Sequence, residues 1–211
     1  MPVRCATAML ASALSLAPWA SARADEGGTS FWVPGQYASL AAEPPPPGWS
    51  MATTLYYYSG SAPDSASSAQ GAAVAPGTRS QTAQLSLSPI YAPDTTVLGG
   101  QPALFLSFGV ASNTTQASQS GVSLSQTVAG PTDISPGATL NWTHGTDYWM
   151  VYLMGNIPVG SYDSQRLANI GIGHAALDAG GGYTYDSPRT GLSLSAAVGF
   201  TYNFENYSTD Y

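Results

Sequence analysis

Charge is what this chain has least of. Charged residues fill 8% of its 211 positions, against roughly 25% in an ordinary soluble domain. Lysine is absent, and the basic set is Arg4, Arg23, Arg79, Arg166 and Arg189 against 12 acidic residues. A water-facing surface this poor in charge is hard to keep dispersed. Nucleic acid is excluded as a partner, because nothing here can neutralise phosphates. There is one cysteine, Cys5, and it falls in the segment expected to be cleaved, so the mature chain has no disulfide, redox pair or Cys-bound metal. Beyond the N-terminus no run of roughly 18 apolar residues exists, which excludes a transmembrane helix. It does not exclude a membrane strand, which needs only about ten residues with every second one apolar.

What is abundant fits such strands. The chain carries 13 Tyr and 23 Gly, with many Ser and Thr, a mixture that weakens helices and suits sheets. Arg4, the small apolar stretch Ala6 to Ala17 and the Ala22-Arg23-Ala24 site read as a signal peptide over residues 1–24. Cys5 precedes the apolar stretch and so is not placed like the lipidated cysteine of a lipoprotein. Residues 25–48 form a leader ending in Pro44-Pro45-Pro46-Pro47-Gly48, which cannot join a ladder.

From Trp49 to Tyr211 strand patterns alternate with Gly/Ser/Pro/Asn clusters. The clearest is Leu192 to Asn203, where Leu192, Leu194, Ala196, Val198, Phe200 and Tyr202 occupy one face and Ser193, Ser195, Gly199 and Thr201 the other. An edge of a soluble β-sandwich shows the same alternation. Other faces are Trp49, Met51, Leu55 and Tyr57; Ala83, Leu85, Leu87 and Tyr91; Leu104, Leu106, Phe108 and Val110; Ala138, Leu140 and Trp142; and Ala175, Leu177, Ala179, Tyr183 and Tyr185. The apolar stretch Tyr148 to Ile157 has no clear polar side. Val122 to Val128 is either a further crossing or an extension outside the bilayer.

Link lengths decide between them. Barrels of the bacterial outer membrane alternate short periplasmic turns with long external loops. The short links here are Ala92–Gly100, Thr143–Asp147 and Asp186–Gly191; the long ones are Ser59–Ser80, Ala111–Gly130 and Pro158–Gly171. The alternation works only if Val122 to Val128 is not a crossing. The expected fold is therefore all-β: an antiparallel transmembrane barrel of outer-membrane type, incomplete, with about seven strands present in residues 49–211.

Several stretches resemble a known family. They are Gly155-Asn156-Ile157-Pro158-Val159-Gly160-Ser161-Tyr162-Asp163, Arg166 to His174, Gly181-Gly182-Tyr183-Thr184-Tyr185 and Gly199 to Asn206, with Gly28 to Tyr37 in the leader. Together they are similar to the outer-membrane transporters called the SphA family, or meta-pathway phenol degradation family. Asn156 stands where an Asp is common, and Ala179 interrupts a frequent Gly run. The resemblance implies a barrel like that of fatty-acid transporters, passing hydrophobic compounds, with an N-terminal segment able to plug the lumen.

The candidate substrate-pathway residues are Tyr148, Met150, Tyr152, Met154, His174, Asp178 and Thr184. The first four face the lumen if Trp149, Val151 and Leu153 face lipid; the reverse register remains open, since both sets are apolar enough. His174 and Asp178, four apart on a strand, lie roughly 13 Å from each other and cannot pair for catalysis. A solvated lumen wall accounts for them as readily as a ligand contact. Asp163 and Arg166 belong to an external loop, where they suit a surface ion pair. Gly171-Ile172-Gly173-His174-Ala175-Ala176 fits a dinucleotide pattern but lacks the parallel strand and helix that give it meaning, so no cofactor and no metal site are expected.

The resulting expectation is an outer-membrane channel, not an enzyme, for passive uptake of small hydrophobic, possibly aromatic, compounds. Its partners are outer-membrane lipid, hydrophobic solutes and the barrel-assembly machinery during insertion. A structural or adhesive surface protein is one alternative. An outer-membrane hydrolase is the other, with His144 and His174 as its only imidazoles. Seven strands leave two long unpaired edges, so the 211-residue segment purified alone should aggregate in size-exclusion chromatography; a stable monomer would contradict the reading.

Overall fold

The computed structural model describes residues 32, 36–37, 39–61, 78–119 and 122–208. The expected signal segment, much of the leader and most of the Ser59–Ser80 link lie outside the described residues. Within them the chain forms eight strands: β1 (Gly48–Ser61), β2 (Arg79–Ala92), β3 (Gln101–Gln119), β4 (Val122–Pro131), β5 (Ser135–His144), β6 (Asp147–Asn156), β7 (Ala176–Ser187) and β8 (Leu192–Asn203).

Seven strands follow one antiparallel path, β1-β2-β3-β5-β6-β7-β8, while β4 pairs with β3 alone. Strand β3 serves two neighbours: Gln101–Ser107 pairs with β5 and Val110–Gln119 with β4. The handover comes where β4 ends at Pro131, opposite Val110, since proline cannot donate to a ladder. Val122–Val128 is thus an extension and not a crossing, and the expected seven-strand antiparallel sheet is what forms, curled like half of a barrel.

The sheet is inside out by the standards of a soluble protein. Its convex face presents Trp49, Met51, Leu55 and Tyr57 on β1, Leu104, Leu106 and Val110 on β3, Trp149, Val151 and Leu153 on β6, and Leu194, Val198 and Phe200 on β8, all exposed. The buried positions include Thr82, Asn113, Asn141, Asn156, Asp178 and Thr184. A continuous apolar surface on this scale is not sustainable in water; against lipid the same pattern is stabilising, because within the sheet the backbone groups are satisfied sideways, strand to strand.

The apolar band has visible limits. Along β3 the outward residues pass from Phe108 and Val110 to Ser112, Thr114 and Gln116; on β2 the change falls between Ala83 and Gln81, and on β1 between Tyr57 and Ser59. The register aligns these positions, with Ser112 opposite Ala83, Thr114 opposite Gln81 and Gln81 opposite Ser59. Above that row β3 and β4 continue as a polar ribbon, joined by hydroxyl pairs Thr114–Thr127 (2.9 Å) and Ser118–Ser123 (2.8 Å). At the short-turn end, rings pair across strands: Trp49 with Tyr91 (5.0 Å) and Trp149 with Tyr183 (4.6 Å). Trp142 there donates to the Leu98 carbonyl (3.1 Å). Such rings suit the girdle at a bilayer interface.

This face assignment predicts a strong asymmetry. Val151→Arg should cost about 2–4 kcal/mol in denaturant unfolding of the protein in lipid vesicles. Ser86→Arg, on the opposite face, should cost well under half of that.

Candidate functional site

The concave face is lined unevenly, and the unevenness makes the site. Strands β1 to β5 turn small hydroxyls and amides inward, among them Thr54, Gln84, Ser86, Ser88, Ser107, Ser135, Thr139 and Asn141, with Tyr56, Ile90 and Phe105 between them. They surround a cavity of about 480 Å³, which the leader residues Gln36, Tyr37, Ala41, Glu43 and Pro45 wall on one side and Met150 and Asn156 on another. The size falls within the range of small-molecule sites, as does the mixture of apolar walls with scattered hydrogen-bonding groups.

Strands β7 and β8 are lined differently. Their inward positions include Gly180, Gly182, Ala197 and Gly199, which leave depth for larger groups from β6 and the leader. The Tyr152 hydroxyl rests on the paired backbones of Gly180 and Gly199; a Cβ at Gly180 would stand 2.6 Å from it, and one at Gly199 closer still. The Tyr37 ring stacks on Tyr152 at 4.5 Å, and Trp32 lies 5.2 Å from Tyr37. Met150, Tyr152 and Ala42 form a buried cluster with Trp32, Tyr37 and Tyr148 packed against it.

Hydrogen bonds fix the leader to this wall through side chains. The Ala42 N–H donates to Thr184 Oγ1 (3.2 Å), and Asn141 Nδ2 donates to the Ala42 carbonyl (3.0 Å). The Leu40 N–H donates to Ser195 Oγ (2.9 Å). Gln36 Nε2 reaches the Met154 sulfur at 3.3 Å. Burial pushes the Tyr37 phenol above its ordinary range, with the Asp178 carboxylate adding to the shift.

A second buried centre lies at the long-loop end. Asp133, in the link after β4, accepts from the Gly160 N–H (2.8 Å), the Ile172 N–H (3.0 Å) and Asn156 Nδ2 (3.1 Å). A Cβ at Gly160 or Gly171 would meet its Oδ1 at 2.7 Å. The loop 157–175 therefore wraps the carboxylate and buries Ala168, Ile170 and Ile172. The β3–β4 ribbon holds it from above: Gln126 Oε1 accepts from the Leu167 and Ala168 N–H groups (2.7 and 3.1 Å). Asn113 Nδ2 donates to the Asn169 carbonyl (2.9 Å).

Of the sequence-derived candidates, Met150, Tyr152 and Met154 are buried on the concave face, while Trp149, Val151 and Leu153 are exposed on the convex one. Only Met150 lines the cavity. Tyr148 is half-buried beside the leader. Asp178 and Thr184 are buried inward on β7, with Asp178 Oδ2 accepting from Thr201 (2.6 Å). His174 was expected on the same strand, but β7 begins at Ala176. Capture of the Ile172 N–H by Asp133 and the left-handed Gly173 (φ 77°) keep that backbone out of the ladder. His144, at the end of β5, lies at the opposite end of the sheet. Asp163 and Arg166 approach to 3.6 Å, both partly exposed. Among the described residues no cluster of three metal-ligating side chains exists.

Sequence reasoning did not single out Tyr37, Phe105, Asp133 or Asn141. The polar inward row of β2 was readable as the partner of Ala83, Leu85 and Leu87; Asp133 in a link carried no signal. Thr184→Val should leave the Ala42 N–H without its acceptor, a loss of about 1 kcal/mol. Amide exchange at Ala42 should then quicken about five-fold, with exchange in β7 and β8 unchanged.

Comparison with known proteins places this geometry. No curated protein matches the chain. The crystal structure of an outer membrane channel from Pseudomonas putida F1 is similar over 83% of this chain and 61% of that one, at 18% identity and a TM-score of 0.56. That likeness is one of fold, and this chain spans less than two thirds of the channel's length. The family described as "Putative MetA-pathway of phenol degradation" matches residues 63–211, well over half of the sequence, and the chain belongs to that family.

Proposed function

We propose that the protein is an outer-membrane channel for passive uptake of small hydrophobic compounds, aromatic ones included. The observation that carries this reading is the pairing of an outward apolar face with an inward cavity of about 480 Å³. The outer face partitions into lipid. The inner one offers rings and aliphatic groups (Phe105, Tyr56, Ile90, Met150) beside weakly hydrating hydroxyls, so a solute can shed water gradually as it enters.

Residues 1–24 direct export and are removed, residues 25–48 form a periplasmic leader or a lumen plug, and the long links face outward. The pathway in this reading includes Tyr148, Met150, Tyr152, Met154, Asp178 and Thr184, with His174 at the rim beside the loop that carries Asp163 and Arg166. No energy source is invoked: solute moves down its gradient once the leader shifts. The family's description and the outer-membrane fold likeness support this class of role.

Full-length protein in liposomes should admit phenol and alkylbenzenes faster than a sugar of similar mass. Equal leakage of every solute, polar ones included, would replace the selective channel by a general porin.

A further inference from the structure

The leader places a phenol ring on the inner wall, and that ring is the side chain of Tyr37. Its stacking on Tyr152, at 4.5 Å and 29°, is one that any phenol of similar size can make. Trp32 covers the pair, 6.0 Å from Tyr152. Beneath Tyr152 lies the glycine pair Gly180 and Gly199, which leaves room for its hydroxyl against the sheet.

The polar groups around the ring are left unfinished. Asp178 is 3% exposed; Thr201 engages its Oδ2, while its Oδ1 has no hydrogen-bond partner among the described residues. The Tyr37 hydroxyl is also buried, with no hydrogen-bond partner among the described residues. The Tyr152 hydroxyl likewise has no hydrogen-bond partner among the described residues. A buried acceptor without a donor weakens whatever occupies the site. Tyr37, tethered through its backbone, does not complete the bond that a freely oriented phenol can.

We propose that the slot over Tyr152 and beside Asp178 is a binding site for neutral phenols, and that Tyr37 is its built-in occupant, displaced by solute. The site deepens the channel reading above and rests on it. It selects by charge: a phenolic O–H donates to Asp178 Oδ1, a bare arene leaves that oxygen unmet, and a benzoate meets like charge. Occupancy by Tyr37 lowers the apparent affinity by the fraction of time the leader is seated.

The test titrates full-length protein in nanodiscs with p-cresol, toluene and benzoate by calorimetry, subtracting empty nanodiscs. Tyr37→Ala lies outside the strands and leaves the sheet intact. It should bind p-cresol about ten-fold more tightly than the parent chain, with toluene weaker and benzoate weakest. Tyr37→Phe keeps the ring and removes the unpaired hydroxyl, so p-cresol should bind no better than to the parent. Equal p-cresol affinity in the parent and Tyr37→Ala, or toluene equal to p-cresol in Tyr37→Ala, overturns the proposal. Liposome uptake is scored separately. Binding as expected without uptake keeps the slot and removes the channel; uptake with Tyr37→Ala binding unchanged keeps the channel and removes the slot.

Discussion

Everything in this molecule depends on backbone hydrogen bonds made sideways, strand to strand. In lipid an unpaired N–H or C=O costs several kcal/mol, so the ladder comes first and side chains are left to serve the two faces. The outward residues need only be apolar, which frees the inward ones to be polar, small or aromatic as the interior requires. Asn141, Asn156 and Asp178 can be buried because the ladder, not a hydrophobic core, holds the sheet together.

That freedom is used in two contrasting ways across the inner surface. On β1 to β5 short hydroxyl residues leave open space, and the cavity is there. On β7 and β8 glycine and alanine leave depth that Tyr152 and the leader fill. The leader is attached by side-chain bonds to Thr184, Asn141 and Ser195, with no strand among its described residues before Gly48. Each such bond contributes about 1 kcal/mol, so the leader is held far more weakly than any strand. The loop around Asp133 is the opposite case, fixed at three points on one carboxylate and again by Gln126 and Asn113.

The strand pattern was legible because period two is a local property. Leu192 to Asn203 displays both faces in the sequence, and link lengths alone remove Val122–Val128 from the crossings. Strand β6 was not legible in the same way. Tyr148, Met150, Tyr152 and Met154 are as apolar as Trp149, Val151 and Leu153, and what covers the inner set is Tyr37 and Ala42, more than a hundred residues away. His174 was drawn into β7 because the alternation runs on past Ala176, whereas a carboxylate in a different link holds that backbone aside. The Gly155–His174 stretch in the family resemblance is largely this same loop: Gly160 and Gly171 answer to Asp133, and Gly173 (φ 77°) to a left-handed turn against Tyr162.

Strand β3 runs for 19 residues. At about 3.4 Å per residue it is about 65 Å long, while the hydrocarbon core needs only about 9–11 tilted residues. Its upper half and β4 therefore rise as a parapet along one side of the mouth, polar on its outer surface and braced by the loop. Among the described strands the sheet is therefore far taller at β3 than at β5, β6 or β7, which have 10 to 12 residues each.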